Sequence, residues 1–232
     1  MNILIGNVLG IDPSGSRVGL AIVNGDKILW HDVVHFPDNA NTLTRADGAH
    51  KRLLLSLADA WANHGFASIC MEDATVFAGQ TFRGKTKRTT NLGAVIGFGY
   101  AKSIVLASIA EITAIAIMPC QEVTPTVWQC GIGADSFTPD VFARHALATV
   151  HEDTDQNRKR LIRCYVAWRS GKQEILETRV DKNGNTQWVW QQDSLDAAGI
   201  AYWAYDRSRQ YALPKPPRRV ARPRVDRANR IL

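Results

Sequence analysis

The sequence predicts an α/β fold in which sheet strands come first and helices are added afterwards. Three observations predict it. Val8 to Val23 reads V-L-G-I-D-P-S-G-S-R-V-G-L-A-I-V, two apolar β-branched runs split by a Pro/Gly/Ser turn. Asn24-Gly25-Asp26 is a hairpin signal leading into a third run, Lys27 to Phe36. Beyond residue 42, stretches of helical spacing alternate with short apolar runs.

The first 36 residues therefore read as a three-strand antiparallel meander. Thr42 to His64 sets Leu53, Leu54, Leu57, Ala58 and Trp61 at helical spacing, and Gly65 is its stop signal. Ala67 to Phe77 predicts a buried strand interrupted by Glu72 and Asp73. Adjacent residues of a strand point to opposite faces, so one acid joins Asp12 and the other meets solvent or a basic partner. Gly79 to Thr90 is a polar loop with Phe82 among Arg83, Lys85, Lys87 and Arg88, a composition suited to clamping phosphates and stacking on a base. Asn91 to Ile112 is strongly helical, and Gly93, Gly97, Ala101 and Ser108 form a flat stripe suited to close packing on a sheet or a second subunit. Ala114 to Pro119 predicts a short buried strand, and Thr138-Pro139-Asp140 starts a short helix to Val150.

The character changes after Asn157. Arg163 to Trp168 and Gln173 to Val180 alternate like a strand pair about a turn at Ser170-Gly171, and Thr186 to Gln191 follows the turn pair Asn183-Gly184. This predicts a three-strand β insertion over about residues 157–191, displaying Trp168, Trp188 and Trp190, with the last two on one strand face. A helix then opens D-S-L-D-A-A-G-I-A-Y-W, with Asp193 at or near its N-cap and Asp196 three residues on, both projecting from the first turn. The expected organisation is one domain over residues 1–206, including the insertion, and a tail at 207–232.

Composition limits the function classes. A chain of 232 residues, 45% hydrophobic, buries a real core and is not globally disordered. No apolar run reaches the roughly 18 residues of a membrane span, and no secretory leader is evident at the N-terminus. The four cysteines lack C-x-x-C spacing, which argues against a zinc site or disulfide framework and for a reducing, cytoplasmic setting. The net charge of +6 is unevenly spread. Residues 207–232 hold nine of the 28 basic residues and one of the 22 acidic ones, leaving −2 on the 206 residues before them. This Pro/Arg-rich tail, with Arg218, Arg219, Arg222 and Arg224 at its centre, reads as an extended arm attracted to phosphate.

Taken singly, Asp12 is an ordinary turn acid, and Asp193 and Asp196 are ordinary acids of a first helical turn. Taken together, Asp12, Glu72, Asp193 and Asp196 come from a first strand, a middle strand and a late helix, all in apolar surroundings. Four converging carboxylates repel one another and resist ionisation unless a cation neutralises them. An all-oxygen set of this kind suits Mg²⁺ or Mn²⁺, and two such ions serve phosphodiester hydrolysis.

The ordered motifs G-I-D-P, a strand glutamate followed by Val76-Phe77, a helix opening L-G with Gly97 after it, and D-x-x-D-A-A near the end resemble the RuvC-type Holliday junction resolvases of the ribonuclease H-like superfamily. The match runs from about residue 8 to 155 and again from 192 to 206. The resemblance implies a five-stranded mixed sheet in order 3-2-1-4-5 flanked by helices. It implies a site of Asp12, Glu72, Asp193 and Asp196 for two divalent ions, branched DNA as substrate, and a homodimer formed through the 91–112 helix. The chain departs from the family in three places. Its first turn, D-P-S-G-S-R, is one residue longer than the usual D-P-G-S-R, and the insertion and basic tail are absent from the common bacterial form. The departures suggest a divergent branch from a phage or other mobile element. Two other classes stay open: an actin- or sugar-kinase-like ATPase, for which the chain is short, and a nucleic-acid-binding module without catalysis.

Overall fold

Strand parity sets the architecture. In the computed structural model, which describes residues 6–37, 42–73, 92–114, 118–125, 127–129 and 155–212, β1 (Val8–Pro13), β2 (Arg17–Asn24) and β3 (Lys27–His35) form the expected antiparallel meander. The lengthened first turn closes with the Ser14 amide and hydroxyl both donating to the Arg17 carbonyl, each at 2.9 Å. Gly25, at φ 59°, turns the second hairpin in the left-handed region that L side chains disfavour. β4 (Ser68–Glu72) pairs parallel to β1, and β5 (Cys120–Val123) pairs parallel to β4. The sheet order is thus β3-β2-β1-β4-β5, as the resemblance implies.

Alternate residues feed two cores. Leu9 and Ile11 of β1, Leu20 and Ile22 of β2, and Ile69 and Met71 of β4 pack on one face against α1 (Thr42–His64) and α2 (Leu92–Thr113). Val8, Ala21, Val23 and Cys70 face the other way, against α3 (Asp155–Ser170) and α4 (Gln192–Ala212). The buried stripe of α1 is Ala49, Leu53, Leu57 and Ala60. Ala58 and Trp61, expected inside, lie on the exposed flank, because the inward stripe follows residues 49, 53, 57 and 60. Gly65 ends the helix at φ 58°, its amide donating to the Trp61 carbonyl. Ala101 and Ser108 of α2 are buried, and Ser108 Oγ lies 2.8 Å from His50 Nδ1 of α1 while donating to the Ile104 carbonyl.

Two expectations need correction. Of the strand expected at 114–119, residues 114, 118 and 119 are not in a strand and 115–117 lie outside the described residues; the strand beside β4 is Cys120–Val123, whose first three residues are exposed, as on an edge strand, so apolarity is a poor guide there. The stretch Arg163 to Trp168, expected as a strand, belongs to α3. Residues 162–167 are all buried, so their apolar pattern carries no period by which helix and strand differ. What remains of the β insertion is a short 3₁₀ turn (Gln173–Leu176) and a two-stranded hairpin, β6 (Thr178–Val180) and β7 (Thr186–Trp188). Trp190 lies beyond the end of β7, so strand parity no longer ties it to Trp188: Trp190 is buried and stacked on His31, and Trp188 is exposed. The basic loop at 79–90, the helix expected at 138–150 and the tail beyond residue 212 lie outside the described residues.

Arg169 latches α3 to α4 and to the β2–β3 turn. Its guanidinium forks onto the Asp206 carboxylate at 2.6 and 2.7 Å, reaches Asp26 at 3.1 Å and lies 4.3 Å from the Tyr202 ring centroid. Tyr202 in turn donates to the Asp26 carbonyl. Both acids are partly in water, which weakens the ion pairs, but the arginine side chain is only 10% exposed. Arg169→Met is expected to cost about 2 kcal/mol. Urea denaturation is the check, and an unchanged midpoint would show the latch to be ornamental.

Candidate metal centre

β1 and β4 run parallel with Ile11 opposite Met71, so the next residues along, Asp12 and Glu72, end neighbouring strands side by side. Both share parity with the residues facing α4. They therefore meet at the carboxyl ends of adjacent parallel strands, where open α/β sheets present their ligand sites. α4 supplies the other two acids because its first turn is pressed onto the sheet. Gly10 and Gly19 are its seat: a Cβ on Gly10 would collide with the Ala197 carbonyl, and one on Gly19 with the Asp193 carbonyl. Ala197 and Ala201 keep the facing side of the helix equally shallow.

The four acids sense one another. Asp12 is buried, and burial pushes its carboxyl well above the usual range; Asp196, Glu72 and Asp193 push it further, against a smaller opposing effect of Arg17. Burial likewise pushes Asp196 up to about 7, with Glu72 and Asp193 adding to it, and raises Glu72. Three neighbours hold the set. Arg17 Nε meets Asp193 Oδ2 at 2.7 Å, Gln192 donates to Asp196 at 2.9 Å, and the Trp128 indole N–H donates to Glu72 at 2.7 Å. Trp128 is fully buried over Gly199, where a Cβ would strike its ring. Asp73, of opposite parity, turns away to pair with Lys102 at 2.9 Å.

Of the four acids that the sequence singles out, Asp12 senses the charge of the other three; Phe82, Arg83, Lys85, Lys87, Arg88 and the tail arginines lie outside the described residues. Among the described residues no group of three or more His, Cys, Asp and Glu side chains already stands as a ligand cage. Trp128, Gln192 and Arg17 each occupy one of the carboxylates. The donor chemistry nonetheless fits a divalent cation, since the acids offer only hard oxygens and carry repulsion that a cation relieves.

Three residues at the site escape sequence reasoning. Gln192 stands four residues before Asp196 on one helix, a pairing legible in principle. Arg17 follows the first turn and looks like any turn residue. Trp128 reaches Glu72 across 56 residues of sequence, a distance for which no local signal exists.

The raised carboxyls make a pH prediction for the protein in chelator. Between the ordinary aspartate value of 3.8 and about 7, folded Asp196 keeps a proton that the unfolded chain has released. The folded state binds more protons in that window, so stability falls as pH rises through it and levels off above. A shift of this size is worth up to about 4 kcal/mol. The wild-type protein is expected to lose more stability from pH 5 to pH 8 than Asp196→Asn does. Equal losses in urea denaturation would refute the assignment.

The sheet order and the helices on its two faces define a ribonuclease H-like fold. Two solved structures of RuvC from Thermus thermophilus share it. The first, in complex with Holliday junction substrate, has a TM-score of 0.53 at 16% identity, and the second 0.53 at 15%. Each comparison covers 89% of this chain and 97% of the RuvC chain. No family model matches the chain, and no curated protein does.

Proposed function

We propose that the protein is a metal-dependent endodeoxyribonuclease that hydrolyses phosphodiesters in branched DNA such as Holliday junctions. The convergence of Asp12, Glu72, Asp193 and Asp196 at the carboxyl ends of β1 and β4 carries the reading. Asp12, Glu72, Asp193 and Asp196 would between them hold two Mg²⁺ or Mn²⁺ ions, with Asp12 at the centre of the set. When bound, the ions would activate water and stabilise the leaving oxygen. The chain's own residues prepare the site. Trp128 fixes the Glu72 carboxylate, Gln192 orients Asp196, and Arg17 balances the charge of Asp193 while facing the groove beside it. The fold shared with a RuvC solved on Holliday junction substrate supports branched DNA as the substrate. Paired nicks across a two-fold junction call for a second copy of the chain, so the working form is proposed to be a homodimer.

The test is a panel of four-way junctions, three-way forks and linear duplex, each with Mg²⁺, Mn²⁺ or chelator. Metal-dependent cleavage of the branched substrates in preference to duplex is expected. Absence of cleavage with either metal would overturn the reading, and a monomer on DNA by light scattering would overturn the homodimer.

A further inference from the structure

A groove of about 630 Å³ opens beside the acids, between the β6–β7 hairpin and the first turn of α4. Its size is in the range of pockets that enclose a small organic ligand. Three cations, Arg17, Lys159 and Arg163, line it against one acid, Asp193, so its balance favours an anion. Its aromatic wall is Trp188, 44% exposed although it is a large apolar side chain. The wall is braced. The Arg163 guanidinium lies 4.3 Å from the centroid of the Trp188 ring and is itself buried, donating to the carbonyls of Ile175 at 2.7 Å and Trp190 at 3.0 Å. An arginine pinned to two backbone carbonyls has little freedom, and the ring that rests on it is held in place.

A fixed, partly exposed indole beside several cations matches a planar base joined to a phosphate. Asp193 lines the groove and belongs to the carboxylate set, and its ion pair with Arg17 ties groove and acids together. We propose that this groove is a subsite for one unpaired nucleotide of the DNA, whose base stacks on Trp188 while Arg17 and Lys159 face its phosphates. The proposal rests on DNA being the substrate. It assigns to the hairpin the selection of branched over paired DNA, because only a base freed from its partner reaches the ring.

The test uses the full chain in chelator, with 2-aminopurine as an unpaired nucleotide at the branch point of a three-way fork and a fully paired duplex as control. Wild-type protein is expected to quench the probe and to prefer the fork. Base–aromatic stacking corresponds to about a five- to hundredfold change in affinity. Trp188→Ala is expected to lose that factor on the fork while binding duplex unchanged, and Trp168→Ala, whose ring lies outside the groove, is expected to keep it. Should the alanine variant fold poorly by circular dichroism, Trp188→Phe and Trp188→Leu decide: retention by Phe with loss by Leu supports stacking, and equal behaviour overturns it. Undiminished fork preference in folded Trp188→Ala also overturns it. Cleavage of the same fork in Mg²⁺ is scored separately. Cleavage without dependence on Trp188 removes the subsite and leaves the nuclease, whereas Trp188-dependent discrimination without cleavage removes the nuclease and leaves the subsite.

Discussion

Asp12→Asn is expected to abolish metal-dependent cleavage of four-way junctions, by roughly a thousandfold or more, while leaving junction binding intact. Asp12 is the acid on which Glu72, Asp193 and Asp196 all act, and it is buried at the end of β1. Asparagine keeps its shape and removes the charge. The same substitution is expected to raise the melting temperature at pH 8 in chelator, because it relieves the desolvation and like-charge repulsion that raise the Asp12 carboxyl. Lost activity together with raised stability separates a functional acid from a structural one. Residual metal-dependent nicking by the purified variant, or a lowered melting temperature, would contradict the role given to Asp12.

Gly19→Val is expected to disable the protein from a position that bears no chemistry. Gly19 pairs with Asp12 across β1 and β2, and any side chain there runs into the backbone of Asp193. The first turn of α4 must lift, carrying Asp193 and Asp196 away from Asp12 and Glu72. Overpacking against backbone costs about 3 kcal/mol, and a displacement of about 1 Å at such a site costs about a hundredfold in rate. The check is urea denaturation alongside junction cleavage. Normal cleavage by Gly19→Val would mean that the seat under α4 gives more readily than its contacts indicate.

The legible and illegible parts of this chain divide along physical lines. Asp12 and Glu72 were legible because each ends an apolar run, and Asp193 and Asp196 because they stand three apart at a helix start; in the structure Asp12 senses the charge of the other three. Strand parity then explains why Glu72, and not Asp73, turns toward Asp12. The hairpin turns and the end of α1 were legible from Gly25 and Gly65, both of which adopt positive φ. α3 was not, because a helix buried along residues 162–167 shows no polar face to mark its period. β5 was not, because an edge strand with exposed residues lacks the apolar run that marks its buried neighbours. Nor were the neighbours of the acids, since Trp128 is joined to Glu72 only by the fold.

The sheet that separates the two cores is also a mechanical partition. Among the described residues, the side chains under α1 and α2 and those under α3 and α4 form separate clusters, with the backbones of the strands between them. Variation beneath α1 and α2 can therefore accumulate with little effect on how the acids are aimed, provided β1 and β4 stay in register. On the other side, glycine and alanine hold helix to strand with no flexible side chain to absorb an error. The molecule has a tolerant half and an exacting half, and the exacting half is the one that carries Asp193 and Asp196.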